Sequence, residues 1–210
     1  MISVKNFEVT FLDTHCYLII DINTGKKAVV DPGDKSQSLI DELKESDSKL
    51  EYVLLTHGHY DHIGFAKELA EMFGAKIVIG EEGKEFLNKG TLNLSDFHRD
   101  ICILNPFEGD IFLKDNDTLK LGDSTIKYIT TPGHTKGCGC YIIDDNLFCG
   151  DTLFCESHGR TDLPTGNENQ MYKSLKKLKD LEGDFKVYPG HGPFSTLDHE
   201  RKYNPVMRML

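Results

Sequence analysis

No apolar run in this sequence approaches the roughly 20 residues that a helix needs to cross a bilayer, which excludes a helical membrane span. Basic residues are in short supply: 24 Lys and Arg face 34 Asp and Glu, a net charge of −10. That sign repels phosphate backbones and anionic membranes, so neither nucleic acid nor a membrane surface is an expected partner. The opening Met1-Ile2-Ser3-Val4-Lys5-Asn6 lacks a basic start followed by an apolar core, so no export signal is read there and the cytoplasm is the expected location. Fixed-period repeats and low-complexity tracts are missing as well. So is any cysteine pair at the two-residue spacing of zinc ribbons and redox motifs, since Cys138 and Cys140 are separated by one residue. The six cysteines (Cys16, Cys102, Cys138, Cys140, Cys149 and Cys155) are expected to be free thiols, with Cys138 and Cys140 as small buried hydrophobes on one face of a strand.

What is present describes a globular protein. Apolar residues make up 39% and charged residues 28% of 210 positions, enough for one domain whose core needs no disulfide. Residues 15–21 and 27–31 read as strands joined by the turn Asn23-Thr24-Gly25, and a helix follows from Leu39 to about residue 46. The strand 52–55 runs directly into a histidine cluster. A helical period from Ile63 to Phe73 is closed by Gly74, then come a strand at 76–79 and a short helix at 81–89. Residues 90–116 have no clear period and are expected to form a surface excursion bordering a site. Strands at 118–121, 124–130, 138–144 and 146–149, a helix at 168–182, a strand at 185–188 and a short helix at 196–203 complete the reading. The order predicts an α/β protein with sheets packed face to face and helices outside.

Thr56-His57-Gly58-His59-Tyr60-Asp61-His62 places three imidazoles and a carboxylate within six residues, straight after a strand. Residues two apart in an extended loop point the same way, so His57 and His59 can grip one cation. Asp61 and His62 open the following helix, where free backbone N–H groups favour a carboxylate. Imidazole nitrogen with carboxylate oxygen is the donor set that zinc-like divalent metals prefer. Three more glycine-bearing turns follow apolar strands: Thr131-Pro132-Gly133-His134-Thr135, Cys149-Gly150-Asp151-Thr152 and Pro189-Gly190-His191-Gly192-Pro193. Singly each is an ordinary turn; together they supply enough donors for two dications.

This constellation resembles the metallo-β-lactamase superfamily, and more narrowly its glyoxalase II-like branch of hydroxyacylglutathione hydrolases. Further matching stretches are Asp31-Pro32-Gly33, the Thr-Leu-Phe after Asp151, and Gly159-Arg160-Thr161-Asp162. The resemblance implies a four-layer αβ/βα sandwich formed as one domain over residues 1–210. It implies a first metal held by His57, His59, His134 and Asp151, and a second held by Asp61, His62, Asp151 and His191. Two divalent ions are expected, zinc first, with iron or manganese as alternatives. Asp61 and Asp151 then flank the reacting centre, where a bridging hydroxide attacks a thioester carbonyl and the thiolate departs. The substrate expected is a small-molecule acyl thioester, and the cysteines are not nucleophiles.

The same resemblance assigns supporting residues. Asp31 is expected to buttress the metal loop through hydrogen bonds. Arg160 and Asp162 form either a structural ion pair or, through Arg160, a contact to a substrate anion. His15, His98, His158 and His199 have no matching partners and take surface or core roles, and Lys173, Lys176, Lys177 and Lys179 form a solvated helical face. Larger glyoxalase II enzymes add a C-terminal helical extension that binds glutathione. The sequence given stops at Leu210, so a compact hydrolase with a different or broader thiol preference is equally expected. The nearest rival is a mononuclear iron persulfide dioxygenase using His57, His134 and Asp151. An antibiotic-hydrolysing lactamase is disfavoured by Asp151, where zinc lactamases use cysteine, and a flavodiiron-type protein by His59, where that pattern has glutamate.

Overall fold

Buried side chains alternate along the strands and divide the chain into layers. In the computed structural model, which describes residues 1–9, 12–45, 48–100 and 102–210, strand β2 (Thr14–Asp21) sends Cys16 and Leu18 into one apolar core and Tyr17 and Ile19 into another. Strand β4 (Leu50–Leu55) divides in the same way, with Val53 and Leu55 on one face and Leu54 on the other. A period of two with both faces apolar is the mark of a sheet covered on both sides.

The first sheet contains β1 (Ile2–Val9), β2, β3 (Lys27–Val30), β4, β5 (Lys76–Gly80) and β6 (Ile111–Leu113), in chain order. From β3 to β6 its neighbours run parallel. The second sheet is built from β7 (Thr118–Leu121), β8 (Ser124–Thr130), β9 (Gly139–Ile143) and β10 (Asn146–Gly150), with β13 (Lys186–Pro189) and β14 (Ser195–Thr196) beyond β10. A small hairpin, β11 (Leu153–Phe154) with β12 (Ser157–His158), interrupts the chain between them.

Tyr17, Leu54, Val78, Tyr128, Tyr141 and Phe148 fill the space between the sheets. Helices α1 (Gln37–Lys44) and α3 (Ala66–Phe73) bury Leu39, Ile40, Leu43 and Leu69 against the outer face of the first sheet. On the second sheet, α5 (Glu168–Lys179), α6 (Leu197–Tyr203) and α7 (Pro205–Met209) contribute Met171, Leu175, Leu178, Leu197 and Met207. Each fully buried aliphatic side chain stabilises the fold by about 1.5–3 kcal/mol. The result is the expected αβ/βα sandwich. Among the described residues no helix is long and apolar enough to cross a membrane.

The differences from expectation are local. Strand β1 went unread because its side chains are mostly half-exposed or exposed and give no clean alternation. The single helix expected from Ile63 is broken into α2 (Tyr60–Ile63) and α3, because the Phe65 backbone leaves helical geometry and its N–H donates to the Pro32 carbonyl (2.9 Å) instead of within the helix. Gly74 closes α3 in the left-handed conformation, as its position suggested. Helix α1 starts at the Ser36 cap and ends at Lys44; residue 46, its expected end, lies outside the described residues. The stretch 90–116 includes α4 (Gly90–Asn93), a 3₁₀ turn at Ser95–Phe97 and β6. Cys138 falls one residue before β9, not within it.

Candidate metal centre

Strand direction brings the candidate residues together. The strand β4 leads into Thr56–His62, β8 into Thr131–His134, β10 into Asp151 and β13 into Gly190–His191. In the second sheet β10 and β13 are parallel, and β9 is antiparallel to both β8 and β10, so the three ligand-bearing strands point to one edge. The Gly139 N–H donates to the Thr56 carbonyl (2.9 Å) and the His15 N–H to the Gly190 carbonyl (2.8 Å), fastening the sheets where the loops leave them.

Ring nitrogens of His57, His59 and His134 form one group within 4.8 Å, and Asp61, His62 and His191 form a second. In the first, His59 Nδ1 lies 3.2 Å from His57 Nε2 and 2.9 Å from His134 Nε2. In the second, Asp61 Oδ2 lies 3.5 Å from His62 Nε2 and 3.3 Å from His191 Nε2. Asp151 faces both, with Oδ1 3.4 Å from His62 Nε2 and Oδ2 3.4 Å from His134 Nε2 and 3.7 Å from His191 Nε2. All seven are thus gathered at one place. Gly190 permits the approach: a Cβ there would stand 2.2 Å from Asp151 Oδ1 and 2.7 Å from His62 Cε1.

The outward nitrogens are fixed by acceptors, which turns the inward lone pairs toward the centre. His134 Nδ1 donates to the Arg160 carbonyl (2.7 Å) and His191 Nδ1 to the Leu12 carbonyl (3.1 Å). Asp31 organises the other side. Its carboxylate accepts from the Thr56 N–H (2.8 Å), the Thr56 hydroxyl (2.5 Å) and His62 Nδ1 (3.0 Å), and the Thr56 hydroxyl in turn accepts from His57 Nδ1 (3.2 Å).

The electrostatics divide the two groups. Burial and the neighbouring imidazoles hold His57 well below its ordinary pKa, and burial with His134 beside it takes His59 down to about 3. Burial also works against protonation of His62, but Asp61, Asp151 and Asp31 carry it up to about 10. His191 is raised despite burial by its bond to Asp61 and by Asp151; Asp61 stays below the usual carboxylate range, against burial, through His62 and His191. One group therefore offers neutral imidazoles, while the other draws in a proton where positive charge is wanted.

Metal ions suit this arrangement. His59 Nε2, His62 Nε2 and Asp151 Oδ1 are buried without a hydrogen-bond partner, an expense that a cation beside the last two would relieve. Zinc–nitrogen bonds of about 2.0–2.1 Å place tetrahedral ligands about 3.3 Å apart, close to the observed nitrogen spacings. A cleft of about 350 Å³ opens over the centre, with Leu12, Leu94, Leu163, Tyr60, His98 and Arg160 on its walls. Arg160 makes a bidentate pair with Asp162 (2.6 and 2.7 Å), both largely exposed at the rim.

Several residues here carry no sequence signal. The Thr14 hydroxyl donates to Asp61 Oδ2 (3.2 Å). His15, buried, accepts from Asn6 Nδ2 (3.0 Å) and donates through Nε2 to the Gly192 carbonyl (2.7 Å), steadying the His191 turn. Cys138 is more than a small hydrophobe, since its sulfur accepts from the Thr135 N–H (3.3 Å) beside His134. His98 lies against Tyr60 (ring centroids 5.0 Å apart) in the cleft wall. The helical lysines are mostly surface groups, although Lys177 also reaches the Thr130 carbonyl (3.0 Å).

A family model described as the metallo-beta-lactamase superfamily matches residues 9–191. Hydroxyacylglutathione hydrolase GloC of Haemophilus influenzae is 32% identical over 217 residues, covering 98% of this chain and 98% of that protein. Among solved structures, BLEG-1 B3 metallo-beta-lactamase superposes with a TM-score of 0.90 at 29% identity, over 98% of this chain and 99% of that one. TTHA1623 in a di-iron-bound form gives 0.83 at 27% identity, over 96% and 98%. These relatives come from more than one branch. With its sandwich fold and its paired His/Asp groups at one sheet edge, the chain belongs to the metallo-beta-lactamase superfamily.

Proposed function

We propose that the chain is a metal-dependent hydrolase of small acyl thioesters, with a hydroxyacyl-glutathione or a related thiol ester as substrate. The observation that carries this reading is Asp151, set between two nitrogen-bearing groups with a buried, unpartnered Oδ1 beside an open cleft. In this reading His57, His59, His134 and Asp151 hold one dication, and Asp61, His62, Asp151 and His191 hold a second. Zinc matches the donors best, and the di-iron form of TTHA1623 supports iron as an alternative. When bound, such ions lower the pKa of water toward neutrality and polarise a carbonyl.

The chain's own residues supply the rest. Asp61 Oδ2, kept charged by His62 and His191 and oriented by Thr14, lines the cleft as a carboxylate that would help hold the second dication and orient a water beside it. Leu12, Leu94 and Leu163 keep water from the acyl chain. Asp31 holds Thr56 and His62 in place, and the Arg160–Asp162 pair fixes the rim. The near full-length likeness to GloC supports the substrate class. Six unpaired cysteines suit a reducing cytoplasm, and we read residues 1–210 as one domain.

The test combines metal analysis of the purified protein with a thioester panel and oxygen uptake on glutathione persulfide. At least two dications per chain with thioester turnover are expected. One iron per chain with oxygen consumption would overturn the hydrolase in favour of a dioxygenase.

A further inference from the structure

A separate set of donor atoms lies outside the centre around Asp151. The hairpin of β11 and β12 turns through Cys155 and Glu156 and packs against α6: the Glu156 N–H donates to Glu200 Oε2 (2.8 Å) and Asn204 Nδ2 to the Ser157 carbonyl (3.0 Å). There Cys155 Sγ, a Glu156 carboxylate oxygen and a His199 ring nitrogen all lie within 4.8 Å of one another. His199 Nε2 and Glu156 Oε1 are 3.0 Å apart. That bond accounts for two members of the group but not for the sulfur beside them.

Nor does it account for Glu200. Its side chain is fully buried, its Oε1 has no hydrogen-bond partner, and among the described residues no cationic side chain pairs with it. A buried carboxylate without a cation is costly.

We propose that Cys155, Glu156 and His199 form a separate cation site for a zinc-type dication. Thiol sulfur, imidazole and carboxylate are the mixed donors zinc takes. On binding, the Cys155 S–H bond breaks, its proton leaves to solvent, and the thiolate electron pair forms the bond to the metal. The dication balances the thiolate and the Glu156 carboxylate, beside Glu200, whose Oε2 accepts from the Glu156 N–H. The location gives the site a task. The hairpin begins two residues after Asp151, and α6 follows the His191 turn, so a cation here ties together the two segments that present Asp151 and His191.

The full chain loaded with cobalt(II) tests this, because the groups around Asp151 include no sulfur donor. We expect a near-ultraviolet thiolate-to-cobalt charge-transfer band in the wild type. Cys155→Ser should abolish it and lower bound metal by one equivalent, while Cys102→Ser keeps both. His199→Gln, which retains the sulfur, should weaken cobalt binding at this site at least about tenfold. Absence of the band in the wild type, or its persistence in Cys155→Ser, would overturn the proposal.

Discussion

At the scale of single residues, the centre depends on groups held for a cation by their hydrogen bonds. His57→Ala removes one inward lone pair. Thioester turnover should fall by more than about a thousandfold while near- and far-ultraviolet circular dichroism stays unchanged, and an unfolded variant would point instead to a structural role for the metal. Asp31→Asn keeps the shape but loses the charge that holds Thr56 and His62. Zinc affinity, measured against a competing chelator, should drop about 10–100-fold. The metal-free chain should also release protons on loading. His62, raised to about 10, is protonated at pH 7 in the absence of metal, and His191 is raised as well. A dication at His62 Nε2 must displace that proton, so apparent affinity rises with pH below about 10, by about tenfold per unit for each proton released. Zinc added to weakly buffered apoprotein with a pH indicator measures the release. The seven candidate residues could be picked out because each sits in a short, distinctive motif that follows a strand. Thr14, His15 and Cys138 were not, since what they do depends on contacts that no local spacing encodes: Thr14 with Asp61, His15 with Gly192, and Cys138 with the turn at Thr135.

At the scale of elements, glycines decide how closely the ligand turns approach. A methyl group on Gly190 would press on Asp151 Oδ1 and His62 Cε1. Gly190→Ala should therefore fold, yet lose metal and activity by about the 1–3 kcal/mol that overpacking costs, or roughly 5–150-fold. Metal content and kcat/KM read this alongside a cooperative unfolding transition of modestly lowered midpoint. The elements around the centre were easy to read in sequence, because β4, β8, β10 and β13 are short apolar runs that stop at Gly- or Pro-bearing turns. The break between α2 and α3 was not, because the apolar period continues through Gly64 and only the long-range bond from the Phe65 N–H to the Pro32 carbonyl reveals why the helix stops. Strand β1 escaped for the opposite reason: pairing with β2 over its whole length makes it a strand, not its own pattern.

At the scale of the whole molecule, three apolar cores separated by two sheets could be inferred from strand-and-helix order. The polar ties between the sheets could not. Asp21, at the end of β2, accepts from the Ser124 hydroxyl (2.6 Å) at the start of β8 and from the Thr24 N–H and hydroxyl (2.9 and 2.7 Å). Burial works to raise its pKa, but these bonds hold it below the usual carboxylate range. Its contribution is then complete above about pH 5 and fades as acid protonates it in the folded state. Asp21→Asn should cost about 1.5–3 kcal/mol at neutral pH and flatten the loss of stability between about pH 5 and pH 2, as urea unfolding at a series of pH values would measure. The shared exit of four strands at one edge carries a consequence for how the protein matures. The segment through His62 precedes His191 by well over half the chain, and His191 reaches Asp61 and Asp151 only through β13, which pairs with β10. A chain whose second sheet has not closed would thus offer a dication only part of this donor set.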